Sequence, residues 1–172
     1  STNEGLHILF RTSGAITFAF YNNDLVSPEV YTDLMWHHWA CTYDEATNER
    51  KIYRDGILVA EDVATGDYQG SGTMQLGRRF SSTPRFFEGS LDEVRIWETA
   101  RSDDEILSSM AVNLEGNESG LLAYYRMNQS GDIVLPDLTA NSHQGTRIGA
   151  AGTNNLPQYV SESYRLYDFN KI

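Results

Sequence analysis

Three groups of residues in this chain carry side chains able to bind or to react. Arg78, Arg79, Phe80, Arg85 and Phe86 make a locally basic, aromatic-flanked loop in an otherwise acidic chain. Guanidinium forks pair bidentately with carboxylate and sulfate groups, so this loop suits a carboxylated or sulfated glycan or an acidic protein surface. The competing reading is a solvated turn that satisfies neighbouring acids. Asp137 and Asn141, in one turn-rich stretch, offer oxygen ligands to a hard cation such as calcium, with Asp92 brought near by folding. Asp and Asn in loops equally cap turns by bonding their own backbone. His37 and His38 are adjacent, so in a strand they point to opposite faces, which speaks against a shared metal and for structural hydrogen bonding. Glu93 and Arg95, two apart, fall on one strand face as an ion pair.

Composition narrows the partners. With 24 acidic residues against 13 Lys and Arg the formal net charge is -11, which repels a phosphate backbone, so nucleic acid is not expected. No apolar run approaches the roughly 20 residues that span a bilayer, so no membrane insertion by a helix is expected. Cys41 is the single cysteine, which excludes an internal disulfide and a thiolate-rich zinc site, and its place between Ala40 and Thr42 reads as a small buried apolar group. Few cysteines, an acidic balance and abundant Asn, Thr, Ser, Gly and Tyr suit an extracellular or cell-surface module of bacterial type.

The elements that must position these residues follow from period-two patterning. Leu6, Ile8 and Phe10, then Ile16, Phe18 and Phe20, alternate around a Ser13–Gly14 turn and predict a hairpin. A loop from Asn22 to Asp33 leads to a strand over Trp36–Tyr43. Ile52–Arg54 and Ile57–Ala60 flank Asp55–Gly56, a two-residue turn signal. Met74–Gly77 reads as a short strand and Phe87–Trp97 as a longer one. Ser102 and Glu105 form a capping box that starts a helix of about two turns, with Ile106, Leu107 and Met110 as its apolar face. Leu121–Met127 is a further strand, the tail from Gly131 is turn-rich, and Tyr159–Phe169 regains weak strand character.

Three segments in a fixed order resemble the laminin-G-like, concanavalin A-like superfamily, in particular its bacterial laminin-G branch and the related pentraxins. They are Trp36-His37-His38, Tyr53-Arg54-Asp55-Gly56 and Gly89-Ser90-Leu91-Asp92-Glu93-Val94-Arg95-Ile96-Trp97, and Ser102–Ile106 matches the short helix that follows. The resemblance spans roughly residues 5–128. It implies an all-β, two-sheet antiparallel jelly-roll sandwich with one short helix over 1–128, and a tail over 129–172 that completes the sandwich or begins a following unit. Pentraxins carry an acidic run of calcium ligands where this chain has Arg78-Arg79-Phe80, so any calcium is expected at Asp137, Asn141 and Asp92 instead. Their strand cysteine falls at Ala40, one position from Cys41. Family members also start with strands that precede Leu6, so the resemblance leaves an edge to be covered by the tail between Leu156 and Phe169, by a neighbouring repeat or by a second polypeptide.

Glucanases of this superfamily place two carboxylates on one strand face as E-x-D-x-x-E. Here Arg95 occupies the central acid position, and Glu93 and Glu98 fall on opposite faces of a regular strand, so they cannot flank one glycosidic bond. The expectation is a non-catalytic extracellular recognition or adhesion module that binds glycan or a protein surface as part of a larger secreted or surface protein. The alternative is a structural spacer or self-associating repeat of a surface filament or adhesin, with a glycoside hydrolase as the remote third.

Overall fold

The structure, a computed structural model, describes residues 2–79, 85–128 and 133–148. They form two compact units, the first comprising residues up to Glu88 with Thr99–Ala111, the second Gly89–Glu98 with the described residues from Val112 onward. The architecture is antiparallel β with one short helix, as in a concanavalin A-like sandwich. Tail positions between Leu156 and Phe169 lie outside the described residues.

In the first unit, β1 (His7–Phe10), β2 (Ile16–Ala19) and β3 (Asp24–Val26) form one sheet in that order. Gly14, at φ +91°, turns the first hairpin, and a Cβ there would sit 2.9 Å from Thr32 Cγ2. The second hairpin is turned by Tyr21 and Asn22, both at positive φ, with Phe20 N donating to Asn23 O at 2.9 Å. The sequence reading put a loop here, whereas β3 begins at Asp24. A two-residue primed turn is ordinarily written with Gly, and a Tyr at its first position hides it.

The second sheet is β4 (Trp39–Asp44), β5 (Glu49–Arg54) and β6 (Ile57–Val63). Asp55 and Gly56 have φ of 52° and 78° and close the β5–β6 hairpin as expected. β4 starts later than Trp36 because the backbone of His38 is already taken: its N–H donates to Asp55 Oδ1 at 2.9 Å and its carbonyl accepts from Asp55 N at 2.8 Å. Residues directly opposite on neighbouring strands share a face, so Ile8, Phe18 and Leu25 look the same way, as do Cys41, Ile52 and Ala60. Those two faces meet. Ile16, Phe18, Phe20 and Leu25 of the first sheet form one buried cluster with Ile52 and Ala64 of the second.

One charged residue lies inside this cluster. Arg50, only 1% exposed, forks onto Asp62 through Nε (2.9 Å) and Nη2 (2.6 Å), donates to Asn23 O (2.7 Å) and Asn23 Oδ1 (3.1 Å), and lies 4.9 Å over the Phe20 ring. Cys41 packs against the same cluster, and burial pushes its thiol up to about 12.

β7 (Arg78–Arg79) and β8 (Arg85–Phe86) make a small hairpin. Met74–Gly77 is not a strand: Met74 and Leu76 are exposed, and Gly72 and Gly77 sit at φ of 121° and 71°, which breaks an extended run. β9 (Val94–Trp97) is shorter than the run read from Phe87. The helix α1 (Asp103–Ser109) carries the full capping box, Ser102 Oγ accepting from Glu105 N and Glu105 accepting from Ser102 N. It buries Ile106 and leaves Leu107 exposed, and Tyr53 OH, from the outer face of β5, donates to Asp103 at 2.6 Å.

In the second unit β9 pairs with β10 (Leu121–Tyr125) across a bulge, and β11 (Val134–Leu135) pairs with β12 (Gly145–Thr146). The Glu93–Arg95 ion pair expected from the sequence is present at 3.1 Å.

Two stability outcomes follow from these contacts. Asp62→Ala leaves the Arg50 guanidinium buried without its countercharge, so urea denaturation is expected to show a loss of about 3–5 kcal/mol. A loss below about 1 kcal/mol would show that Arg50 is not the tie it looks to be. Ser102→Ala removes an exposed cap and should cost about 1 kcal/mol by the same measurement, with Ser102→Asp restoring most of it.

Candidate functional site

β1 and β4 are the outer strands of their sheets on the side of the sandwich where Phe10 meets Trp39. Phe10 pairs across from Ile16 and so belongs to the core-facing side of β1, yet it is 39% exposed. Its ring meets Trp39 edge-on at 5.4 Å, and Tyr31 meets Trp39 from elsewhere at 4.9 Å. Phe87, 43% exposed, stacks on Phe10 at 6.4 Å with an interplanar angle of 29°. Among the described residues four rings thus form a chain of contacts, Phe87–Phe10–Trp39–Tyr31, with Phe87 and Phe10 exposed and Trp39 and Tyr31 part-buried against the core.

A polar network finishes the row at Tyr31. The Arg54 guanidinium lies 4.8 Å over the Tyr31 ring and 5.9 Å from that of Trp39, and its Nη2 donates to Asp33 at 2.8 Å. His37 sits between two carboxylates, Nδ1 at 2.7 Å from Asp55 and Nε2 at 2.8 Å from Asp33. The His37 bond, helped by the Met35 backbone N–H, holds the Asp33 carboxyl below its ordinary value. His37 therefore has the structural bonding its sequence position predicted. Flat apolar faces beside planar hydrogen-bonding groups suit a ligand with apolar faces and hydroxylated edges.

At the Phe87 end the basic hairpin begins. Arg78 pairs across from Phe86 and Arg79 across from Arg85, so the backbone gathers these three arginines on one hairpin, while Phe80 lies outside the described residues. Phe87 N donates to Gly77 O at 2.8 Å, which fastens the ring of the row to the base of that hairpin. The sequence reading found these basic residues as a loop, where β7 and β8 pair as a hairpin, and missed the row, because Phe10, Tyr31, Trp39 and Phe87 are distant in sequence and come together only in the fold.

The candidate calcium residues have other occupations. Asp137, its side chain fully buried, accepts from Tyr124 N (3.0 Å), Thr139 N (2.9 Å), Thr139 Oγ1 (2.9 Å) and His143 N (2.9 Å). Burial raises this carboxyl, and those donors outweigh it, so the net displacement is downward. Asn141 Nδ2 donates to Leu122 O at 2.9 Å, and Asp92 Oδ1 accepts from Glu93 N at 3.0 Å. A cation at Asp137 would have to displace donors that already fill its oxygens. Among the described residues no cluster of three or more His, Cys, Asp or Glu is arranged to hold a metal.

Glu93, the carboxylate nearest to a glucanase pattern, is engaged as well. It accepts from the Tyr124 hydroxyl and from Arg95, with Arg126 at 3.5 Å. Burial, and then the bond to Glu93, pushes the Tyr124 hydroxyl up to about 12. On the outer face of the second sheet an open polar cleft of about 310 Å³ runs between Thr42, Lys51 and the start of the helix. It offers no exposed ring, since its aromatic side chain, Tyr53, is 1% exposed.

A family model described as concanavalin A-like lectin/glucanases superfamily, of the laminin G-like kind, matches residues 1–107. A crystal structure of a putative carbohydrate binding protein from Bacteroides ovatus superposes with a TM-score of 0.65 at 21% identity, covering 90% of this chain and 50% of that one. The chain therefore spans about half the length of that structure, and at this identity the likeness is one of fold. No curated protein matches the sequence significantly. The two facing sheets, the capped helix after the Val94–Trp97 strand and a family match over more than half of the residues lead to one assignment: this chain belongs to the concanavalin A-like lectin/glucanase superfamily.

Proposed function

We propose that this chain is a non-catalytic glycan-recognition module, part of a larger secreted or surface protein, that binds sugar along the row Phe87–Phe10–Trp39–Tyr31. The observation that carries this reading is the row itself: two exposed rings, Phe87 and Phe10, continued by the part-buried Trp39 and Tyr31, with the planar groups of Arg54 and Asp33 at the Tyr31 end. Pyranose rings have apolar C–H faces that stack on aromatic faces and hydroxyl edges that bond to carboxylate and guanidinium forks. The likeness to a putative carbohydrate binding protein supports the same ligand class. A non-catalytic role is supported by Glu93, whose carboxylate is taken up by the Tyr124 hydroxyl and Arg95 with Arg126 at 3.5 Å, and by Arg95 standing at the central acid position of the glucanase pattern.

A second reading rests on a different observation. Ile8, on the core-facing side of β1, is 55% exposed, and Leu6 just before the strand is 48% exposed. Among the described residues β1 has no neighbour on its outer side. An apolar edge of this kind accepts an added strand from a neighbouring repeat or a second polypeptide, which would make the unit a spacer or self-associating element. Added there, the strand would cover Phe10.

The two readings separate by experiment. On a glycan array followed by calorimetry, the first expects binding that falls roughly tenfold in Phe10→Ala and in Phe87→Ala, each variant shown to be folded by circular dichroism, with no effect of EDTA. Absence of binding to any sugar would overturn it. The second expects concentration-dependent assembly in sedimentation that Ile8→Asp abolishes, and a strictly monomeric chain with an Ile8→Asp variant of unchanged stability would refute it.

A further inference from the structure

We infer that His37 is a positioning residue whose proton controls the Tyr31 end of the row, so that glycan is held more tightly when the imidazole is charged; this rests on the glycan-recognition reading above. One ring nitrogen is at issue. Nε2 of His37 lies 2.8 Å from Asp33 Oδ1 and 2.6 Å from Arg54 Nη2, and the two contacts make opposite demands on it. A carboxylate oxygen accepts, so that bond requires a hydrogen on Nε2, whereas a guanidinium only donates, so the other requires a lone pair there. One nitrogen supplies one or the other. Nδ1 has no such choice, because it faces the acceptor Asp55 Oδ2 at 2.7 Å and so carries a hydrogen in either state.

The charged and titratable groups that face the imidazole are Asp33 from the loop before β4, Arg54 from the end of β5 and Asp55 from the β5–β6 turn. Asp33 is held below its ordinary value, first by the bond from His37 and then by that from the Met35 N–H, so it stays ionised where histidines exchange their proton. His37 is then the group that changes. When Nε2 carries hydrogen it donates to Asp33 Oδ1 while Arg54 Nη2 donates to Oδ2 at 2.8 Å, and the carboxylate is gripped by both oxygens. When it does not, a lone pair faces Oδ1, the Arg54 N–H is drawn to the ring, and Asp33 is left to the Met35 N–H at 3.1 Å. The change reaches the rings. The guanidinium that shifts is the one lying 4.8 Å over Tyr31 and 5.9 Å from Trp39, and the Asp33 side chain, 40% exposed, is open to a ligand hydroxyl beside them. A sugar that bonds to a loosened Asp33 must also order it, which subtracts from affinity.

The test follows the His37 ring nitrogens and the Arg54 guanidinium of the full chain by NMR from about pH 5 to 9, wider than the interval over which histidine ordinarily changes charge. Calorimetry at both ends then uses the tightest binder among neutral gluco-, xylo-, manno- and galacto-oligosaccharides, whose own charge does not vary. Nε2 is expected to lose its hydrogen while Nδ1 keeps its own, with the Arg54 resonances moving in step. Affinity is expected to fall roughly three- to tenfold from the acid to the alkaline end, the range set by ordering one side chain. In His37→Gln, shown to be folded by circular dichroism, both the Arg54 shift and the pH dependence of affinity should vanish. Arg54 resonances that stay still while His37 titrates, or an imidazole that keeps both hydrogens throughout, would overturn the exchange of partners at Nε2. An affinity independent of pH, with the spectra moving as expected, would overturn its link to the ligand and leave the glycan reading standing. A pH dependence that survives in His37→Gln would overturn the role of His37. Silence of every sugar would overturn the glycan reading, and this inference with it.

Discussion

The structure of the first unit depends on the buried guanidinium of Arg50. Two three-stranded sheets with modest apolar faces could pack in several ways, since Ile, Phe and Leu contacts are non-directional. A planar fork is directional. Arg50 belongs to β5, its carboxylate partner Asp62 to β6, and its other acceptors are the carbonyl and side-chain oxygen of Asn23 between β2 and β3. Two of the four bonds therefore tie the second sheet to the turn of the first while the two to Asp62 hold the guanidinium in place, and the Phe20 ring adds a cation–π contact. Such an arrangement adds little net stability over an apolar packing, but it admits one alignment. The alignment decides where the ends of β1 and β4 fall, and so whether Phe10 and Trp39 touch.

Among the described residues that alignment leaves a side of the sandwich uncovered, with two physical consequences that pull against each other. Rings half open to water are what a sugar-binding face requires, and Phe10 and Phe87 are in that state. The same opening exposes Ile8 and the outer edge of β1, which is what another strand would seek. A high net negative charge discourages association of copies by repulsion, and shortness does the same, since β1 has only four residues to offer.

The features legible in the sequence are those whose cause is local. Asp55–Gly56 announces its turn because only a few residues accept two consecutive positive φ angles, and Ser102 with Glu105 announces a helix start because both partners lie within one turn. Strand alternation also predicts the Glu93–Arg95 pair, although Glu93 lies just before β9 at φ 51° and reaches Arg95 from outside the strand. Where the cause is tertiary, the sequence misleads. Tyr21 and Asn22 adopt a glycine-like turn because β3 pairs behind them, and Met74–Gly77 alternates like a strand although two glycines at positive φ deny it one. The basic hairpin was visible as a run of residues, whereas the aromatic row draws on positions 10, 31, 39 and 87, which no window along the chain contains. Asp137 shows the converse: a loop Asp looks like a cation ligand until its four donors are counted.

The Arg54 network gives the row the rigidity that binding needs. An exposed ring that turns freely must be ordered when a ligand stacks on it, and that ordering subtracts from affinity. Trp39 meets both Tyr31 and Phe10 edge-on, and Tyr31 lies beneath a guanidinium that Asp33 anchors in its turn. Asp33 is oriented by His37, and His37 by Asp55, the same residue that makes the β5–β6 turn. The chain of contacts therefore runs from a hairpin fixed by backbone geometry to a ring at the surface, each step a short hydrogen bond or ring contact. Trp36-His37-His38 and Tyr53-Arg54-Asp55-Gly56, the segments by which the family is recognised, supply most of that chain. Within this unit, the residues that define the fold are also those that hold the inner half of the row still, so a ligand stacked on the row would meet its ordering cost mainly at Phe10 and Phe87.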